Sequence, residues 1–287
     1  MADDIQNPAP AIEAPAKPRM STRNRLLFYA VAWFIVLLPF LFWRSTWFGR
    51  PLTDSQIAEY LRDESKPRQI QHALVQIGER MARGDKSAAQ WHPEMVRLAT
   101  HRVEEIRTTD AWLMGQDASQ PQFREALKTM LADASPLVRS NAALSLVRFG
   151  DASGHDVIVA MLKPTVVAAS RAGRVTDIAK PGEPINHGTM LARISSGGEE
   201  MEVRAPITGR IRSVAVREDA EVAAGVELGV IEPGTEQVWE ALRALYLIGR
   251  VEDVPAVQPF QRDTPSYPAR IVQQAKATEG AIRARAK

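Results

Sequence analysis

Gly173-Arg174-Val175, then Ile178, Gly182, Ile185, Gly188, Leu191 and Ile194, is followed by Gly209-Arg210-Ile211, then Val214, Asp219, Val222, Gly225, Leu228 and Ile231. The same short pattern is written twice between Thr165 and Glu232, and one single-residue gap brings the copies into register. Brief apolar runs separated by glycine or a charged corner are the signature of short strands joined by tight turns. Each copy of about thirty residues is too small to bury a core by itself. The two must interlock, which predicts a small all-β domain over 165–233.

The stretch Val203-Arg204-Ala205-Pro206-Ile207-Thr208-Gly209-Arg210-Ile211 sharpens this reading. It resembles the apolar-x-Ala-Pro-x-x-Gly-x-apolar segment of biotinyl/lipoyl carrier domains, a fold also found in haemolysin-D-like membrane fusion proteins. The resemblance implies a barrel-sandwich hybrid made of two interlocked halves. In the carriers, the hairpin ahead of this segment displays a lysine that holds biotin or lipoate. Here Gly198 stands in that position, within Ser195-Ser196-Gly197-Gly198-Glu199-Glu200-Met201-Glu202, and the hairpin contains no lysine. Without an amine to acylate, the resemblance implies the framework and no attached cofactor. The long helical hairpin that fusion proteins carry at this position is also replaced by a short turn.

The rest of the chain is longer than this module. Its 287 residues, 45% hydrophobic and 24% charged, allow two ordinary domains plus extensions. A net charge of +2, with both signs interleaved, gives no case for a nucleic-acid partner. The absence of cysteine excludes disulfides, thiolate metal sites and thiol catalysis.

Residues 1–25 begin with an Ala- and Pro-rich stretch (Pro8, Pro10, Pro15, Pro18) that has too little apolar surface to offset its ordering entropy, which predicts a disordered, cytoplasmic tail. From Leu26 to Trp43 there is no charge. A helix of this length roughly spans a hydrocarbon core of about 30 Å, with Trp47 and Phe48 placed for the interface. Bulky Arg44-Ser45-Thr46-Trp47 argues against signal-peptide cleavage. Lys17, Arg19, Arg23 and Arg25 precede the segment, so the positive-inside rule predicts a single-pass protein of a bacterial inner membrane with a cytoplasmic N-terminus and a periplasmic bulk.

From 53 to 163 apolar residues recur at helical spacing. The run opens with Thr53-Asp54-Ser55-Gln56, a capping box. Leu61 to Ile77 matches Leu131 to Val147, and Ile106-Arg107 matches Val138-Arg139. The resulting period of about 35 residues lies in the range of helix-pair solenoids. The unit Leu131-Ala132-Asp133-Ala134-Ser135-Pro136-Leu137-Val138-Arg139, continuing through Ala142-Ala143-Leu144 to Phe149-Gly150-Asp151, resembles a HEAT repeat; an irregular helical bundle is the alternative. Asp156 to Leu162 reads as the first helix of another repeat, and Val238 to Gly249 resembles its second. The β module is therefore expected inside a repeat turn, with helical repeats continuing over 236–262 and a basic C-terminal tail, weakly helical or disordered, over 263–287. The expected fold is thus a multidomain α+β chain: a transmembrane helix, a HEAT-like α-solenoid and an inserted lipoyl-like barrel.

None of His72, His92, His101, His155 and His187 has metal-site spacing, and His72 reads as a packed side chain. No nucleotide loop, nucleophile elbow or paired-carboxylate motif is present. These residues predict no catalytic site, no metal and no cofactor. Arg171, Arg174, Arg193, Arg204, Arg210, Arg212 and Arg217 crowd the β module and form a candidate surface for an acidic protein or anionic head groups, a solvated face being the plainer alternative. The expected function is a membrane-anchored, non-catalytic scaffold that binds proteins in an export or envelope complex. One alternative is a degenerate carrier-like regulatory subunit docking on a biotin- or lipoyl-dependent enzyme; self-association as a homo-oligomer is another.

Overall fold

The computed structural model describes residues 21–45, 51–262 and 267–287. It divides into two compact units, Met1–Pro51 and Leu52–Lys287. In the first, α1 (Thr22–Ser45) is a continuous helix containing Pro39. Over Thr22–Leu41 its mean hydropathy is 1.8, long and apolar enough to cross a membrane. Leu26, Phe28, Trp33, Ile35 and Val36 are all exposed, so the apolar surface runs around the helix rather than along one stripe. The expected interfacial Trp47 and Phe48, and most of the expected tail, lie outside the described residues.

In the second unit the chain opens as α2 (Asp54–Arg62), α3 (Pro67–Ala82), a 3₁₀ turn (Lys86–Trp91) leading into α4 (His92–Leu98), α5 (Glu104–Met114), α6 (Pro121–Met130), α7 (Pro136–Arg148) and α8 (His155–Ala160). Thr53 caps α2 as the sequence predicts: its hydroxyl accepts from the Gln56 amide while Gln56 reaches back to the Thr53 amide. Proline stands in the first turn of α3, α4, α6 and α7, where its missing N–H costs nothing. The helices pack in rows: α3 lies on α5, α5 on α7, and α4 on α6. Ile70, Leu74 and Ile77 of α3 and Ile106, Leu113 and Met114 of α5 are buried in one core with Phe123 and Leu127. A Cβ on Gly115 would lie 2.6 Å from the Ser145 Cβ, so glycine there lets α5 and α7 close up.

Turns between these helices repeat one device. An Asp-x-Ser step recurs at Asp63, Asp85, Asp117, Asp133 and Asp151, and in each case Oδ1 accepts the serine amide. Arginines from neighbouring helices tie these turns together. Arg107 grips Asp133 with Nε and Nη2 at 2.6 and 2.8 Å, Arg124 reaches Asp151 at 2.6 Å, and Arg97 reaches Glu64 at 2.8 Å. The bidentate, half-buried Arg107 pair is the strong member of this series; the exposed ones contribute little each.

The β domain lies between α8 and α9 (Thr235–Ile248) in the chain, and α8 packs on α9. Its strands are β1 (Thr165–Ala168), β2 (Gly173–Ile178), β3 (Pro184–Ile185), β4 (Met190–Ser196), β5 (Glu199–Arg204), β6 (Gly209–Val214), β7 (Glu221–Val222) and β8 (Glu227–Pro233). One sheet runs β1-β8-β6-β3 and the other β5-β4-β2-β7. Exchanging the two sequence copies (β1 with β5, β2 with β6, β3 with β7, β4 with β8) turns one order into the other, so the domain has a pseudo-twofold relation. Each copy lends its two-residue strand to the opposite sheet, which is why neither folds alone. The symmetry extends to single atoms. Gly182 N donates to Ile211 O at 2.7 Å, and Asp219 N donates to Val175 O at 2.8 Å. The irregularity in β2–β4 pairing at Val175/Asp177 is matched in β6–β8 at Ile211/Ser213. Val175, Leu191, Ile194, Ile211, Leu228 and Ile231 fill the space between the sheets.

The chain then returns to helix: α9, a 3₁₀ turn at Val251–Asp253, α10 (Val254–Val257), a 3₁₀ turn at Gln258–Gln261, and α11 (Ala269–Arg285). Of the two alternatives for the C-terminal stretch, helical or disordered, the described residues take the helical one. From Ala269 onward it is an ordered helix whose Ile271, Ala275 and Ile282 are buried against α9, and the Thr278 hydroxyl donates to Leu242 O at 2.9 Å. Its apolar positions are few because two small residues, Ala275 and Thr278, carry much of the contact.

Candidate functional site

The hairpin where carrier domains hold their lysine is fully formed. Strands β4 and β5 pair antiparallel down to Ser195 with Glu200 and Ser196 with Glu199, leaving Gly197 and Gly198 as a two-residue turn. Their φ values of +61° and +85° are left-handed, the requirement of a tight hairpin turn that matches strand twist. A Cβ at either position would have nothing within 4 Å, so the tip projects freely. The lone lysine between 165 and 232, Lys180, sits in the turn after β2, where its amide bonds the Glu183 carboxylate at 3.1 Å.

The arginines singled out from the sequence share this domain with an excess of acids: eight Lys/Arg against ten Asp/Glu over 165–232. Arg171 pairs with Glu199, Arg174 with Glu221, and Arg193 with both Glu200 and Glu202. Arg204 pairs with Glu202 and also bonds Gly188 O. Arg210 bonds Gly182 O, and Arg212 lies 4.0 Å from Glu232. The structure thus places Arg171, Arg193 and Arg204 beside the hairpin acids and the others elsewhere on the domain. Arg171, Arg174, Arg193 and Arg204 thus each face a glutamate, Arg212 stands at 4.0 Å from one, and Arg210 is held by a backbone carbonyl.

Two contacts fix the β domain to the helices. The His187 Nε2 lies 2.9 Å from Glu104 Oε1, and the same oxygen accepts from the Ser135 hydroxyl at 2.6 Å, the residue that caps α7. The Tyr267 hydroxyl donates to Pro233 O at 3.3 Å. Two further ties close the helices on either side of the insertion: Gln237 of α9 bonds Met161 O at the end of α8 at 2.9 Å, and His155 Nε2 of α8 is 2.7 Å from Asp253 Oδ2, which also accepts the Arg250 amide at 2.7 Å. Sequence spacing gave no hint of these partners, since His155 and Asp253 are brought together only by the return of α9 onto α8.

Burial alone pushes the His155 imidazole pKa down, but the hydrogen bonds its ring donates to the Asp156 and Asp253 carboxylates outweigh it and the net shift is upward. A group raised in the folded state stabilises fully below its unfolded pKa of about 6.5 and loses that contribution as pH rises through the folded value. His155→Gln is therefore expected to cost about 1.5–2 kcal/mol near pH 5.5, the worth of charge-assisted bonds, and less at pH 8.5. Urea unfolding at the two pH values checks this.

His72 is buried beside Tyr60, with ring centroids 6.4 Å apart. Among the described residues, no three His, Asp or Glu side chains are grouped so as to hold a metal ion.

The family model of biotin-requiring enzymes matches residues 163–231. Residues 163–231 are a biotinyl/lipoyl domain. No curated protein matches the chain. Among solved structures, a single-chain, multi-domain long-chain acyl-CoA carboxylase is 17% identical over 42% of this chain and 14% of its own, with a TM-score of 0.24. The urea carboxylase of Kluyveromyces lactis is 19% identical over 44% of this chain and 10% of its own, with a TM-score of 0.23. The chain spans a small fraction of either, and at those scores the likeness carries no argument.

Proposed function

We propose that this chain is a non-catalytic, carrier-like subunit whose biotinyl/lipoyl domain docks on a biotin- or lipoyl-dependent enzyme complex without itself being acylated. One observation carries the reading: both sheets and the family hairpin are complete, yet the tip is Gly197-Gly198. Acylation needs a primary amine, and glycine offers none. The hairpin then serves as a shaped, acid-lined projection for a partner. Intact-mass measurement after co-expression with biotin and lipoyl ligases is expected to give the unmodified chain mass; a gain of one biotinyl or lipoyl group would overturn the reading.

The apolar helix α1 favours a second reading, the membrane-anchored adaptor of an export or envelope complex. In it the N-terminus is cytoplasmic and the bulk periplasmic in a bacterial inner membrane, and the helical pairs form a HEAT-like solenoid that presents the barrel. A compartment-specific reporter fused to the C-terminus separates the two. Activity in the cytoplasm supports docking on a metabolic enzyme; activity only outside, with an exporter recovered on affinity capture, supports the adaptor.

A further inference from the structure

The chain leaves the helices at Lys163-Pro164 and re-enters them at Pro233-Gly234, and both crossings border one cavity of about 480 Å³. Its walls are Leu162, Pro233, Ala256, Phe260 and Tyr267; its rim carries Lys163, Arg212 and Glu232. A cavity of this size falls within the range of roughly 300–1,000 Å³ typical of small-molecule sites, which favour domain junctions. The Phe260 and Tyr267 rings meet edge to face with centroids 5.1 Å apart and form a rigid apolar floor. Desolvation raises the Tyr267 hydroxyl to about 12, so at neutral pH the lining ionises only at its rim.

The rim charge is unbalanced. Arg212 reaches Glu232 only at 4.0 Å and with its side chain 59% exposed, and the Lys163 ammonium, exposed, makes no direct ion pair among the described residues and meets Asp156, which does not line the cavity, only through its field. Two cations and one carboxylate therefore line a cavity whose other walls are apolar. We propose that this cavity binds a small amphipathic carboxylate, an aliphatic chain on Phe260 and Tyr267 with its head group at Lys163 and Arg212. Because both connections line the site, an occupant bridges the β domain to the helices and stiffens the junction.

The test uses the full chain in lipid nanodiscs, titrated with sodium octanoate by ligand-observed NMR, with empty nanodiscs subtracted. Saturable binding is expected. Ala256→Trp, which fills the cavity, should abolish it. The double variant Lys163→Glu/Arg212→Glu, confined to exposed side chains, should weaken it about tenfold, equivalent to about 1.4 kcal/mol, and octan-1-ol should bind more weakly than octanoate. Non-saturable binding, undiminished binding to Ala256→Trp when its thermal melt matches the parent, no weakening in the double variant, or octanol binding as tightly as octanoate would each overturn the proposal.

Discussion

Asp110→Ala is expected to stabilise the protein by about 3 kcal/mol at pH 7. Asp110 lies on α5 with no exposed surface, and neither carboxyl oxygen has a hydrogen-bond partner among the described residues. A buried orphan polar group costs about 1–3 kcal/mol even when neutral, and keeping this one neutral adds to that. Burial pushes its pKa well up. The folded state therefore holds a proton that the unfolded chain releases above about pH 3.9, and stability falls as pH rises through that window. The gain from alanine should accordingly be largest at neutral pH and shrink toward pH 4. For a unit of this size it corresponds to a rise of about 6–12 °C in Tm. Thermal melts followed by helical circular dichroism at pH 4 and pH 7 measure both, with Asp110→Asn expected between parent and alanine. No gain at pH 7 would show that the carboxyl has a partner.

Gly209→Ala is expected to have the opposite and larger effect, confined to the β domain. A Cβ at Gly209 would stand 1.8 Å from the carbonyl oxygen of Glu232, and that oxygen belongs to the neighbouring strand, so no rotamer relieves it. Gly173 occupies the equivalent place in the other copy, where a Cβ would meet Ser195 O at 2.4 Å. The clash requires β6 and β8 to separate, and a loss of about 4 kcal/mol or more is characteristic of such backbone strain. Hydrogen exchange should show amides of β6 and β8 losing protection while those of α3 and α5 keep theirs. A control at Gly182, where φ is +87° but a Cβ would meet nothing within 4 Å, should cost only about 1–2 kcal/mol.

The β domain was legible because its two copies repeat every constraint: glycines at 173 and 209 for close strand approach, left-handed corners at Gly182 and Asp219 and at Gly188 and Gly225. The capping box at Thr53 was legible because its partners lie three residues apart. What the sequence hid was long-range pairing. Arg193 read as a free cation until the pairing of β4 with β5 set Glu200 and Glu202 beside it. The α11 helix read as a tail because alanine and threonine, which pack closely when a neighbour is present, give a weak apolar pattern on their own. The Asp-x-Ser turns carried a signal that only their recurrence reveals, each step binding its own loop and two of them, Asp133 and Asp151, also holding an arginine of an earlier helix.

The mount of the β domain has a mechanical consequence. A swinging arm works by sweeping an arc between distant stations, which needs a slack tether. Here the tethers are two proline-bearing crossings laid side by side, reinforced by His187 on Glu104 and Tyr267 on Pro233, while Gln237 on Met161 holds together the helices they spring from. Such a bracket transmits torque instead of absorbing it, so the hairpin tip keeps a set bearing relative to α5 and α7. Whatever meets that tip must come to it, and a push on the tip is delivered to the helices as a lever delivers force to its pivot.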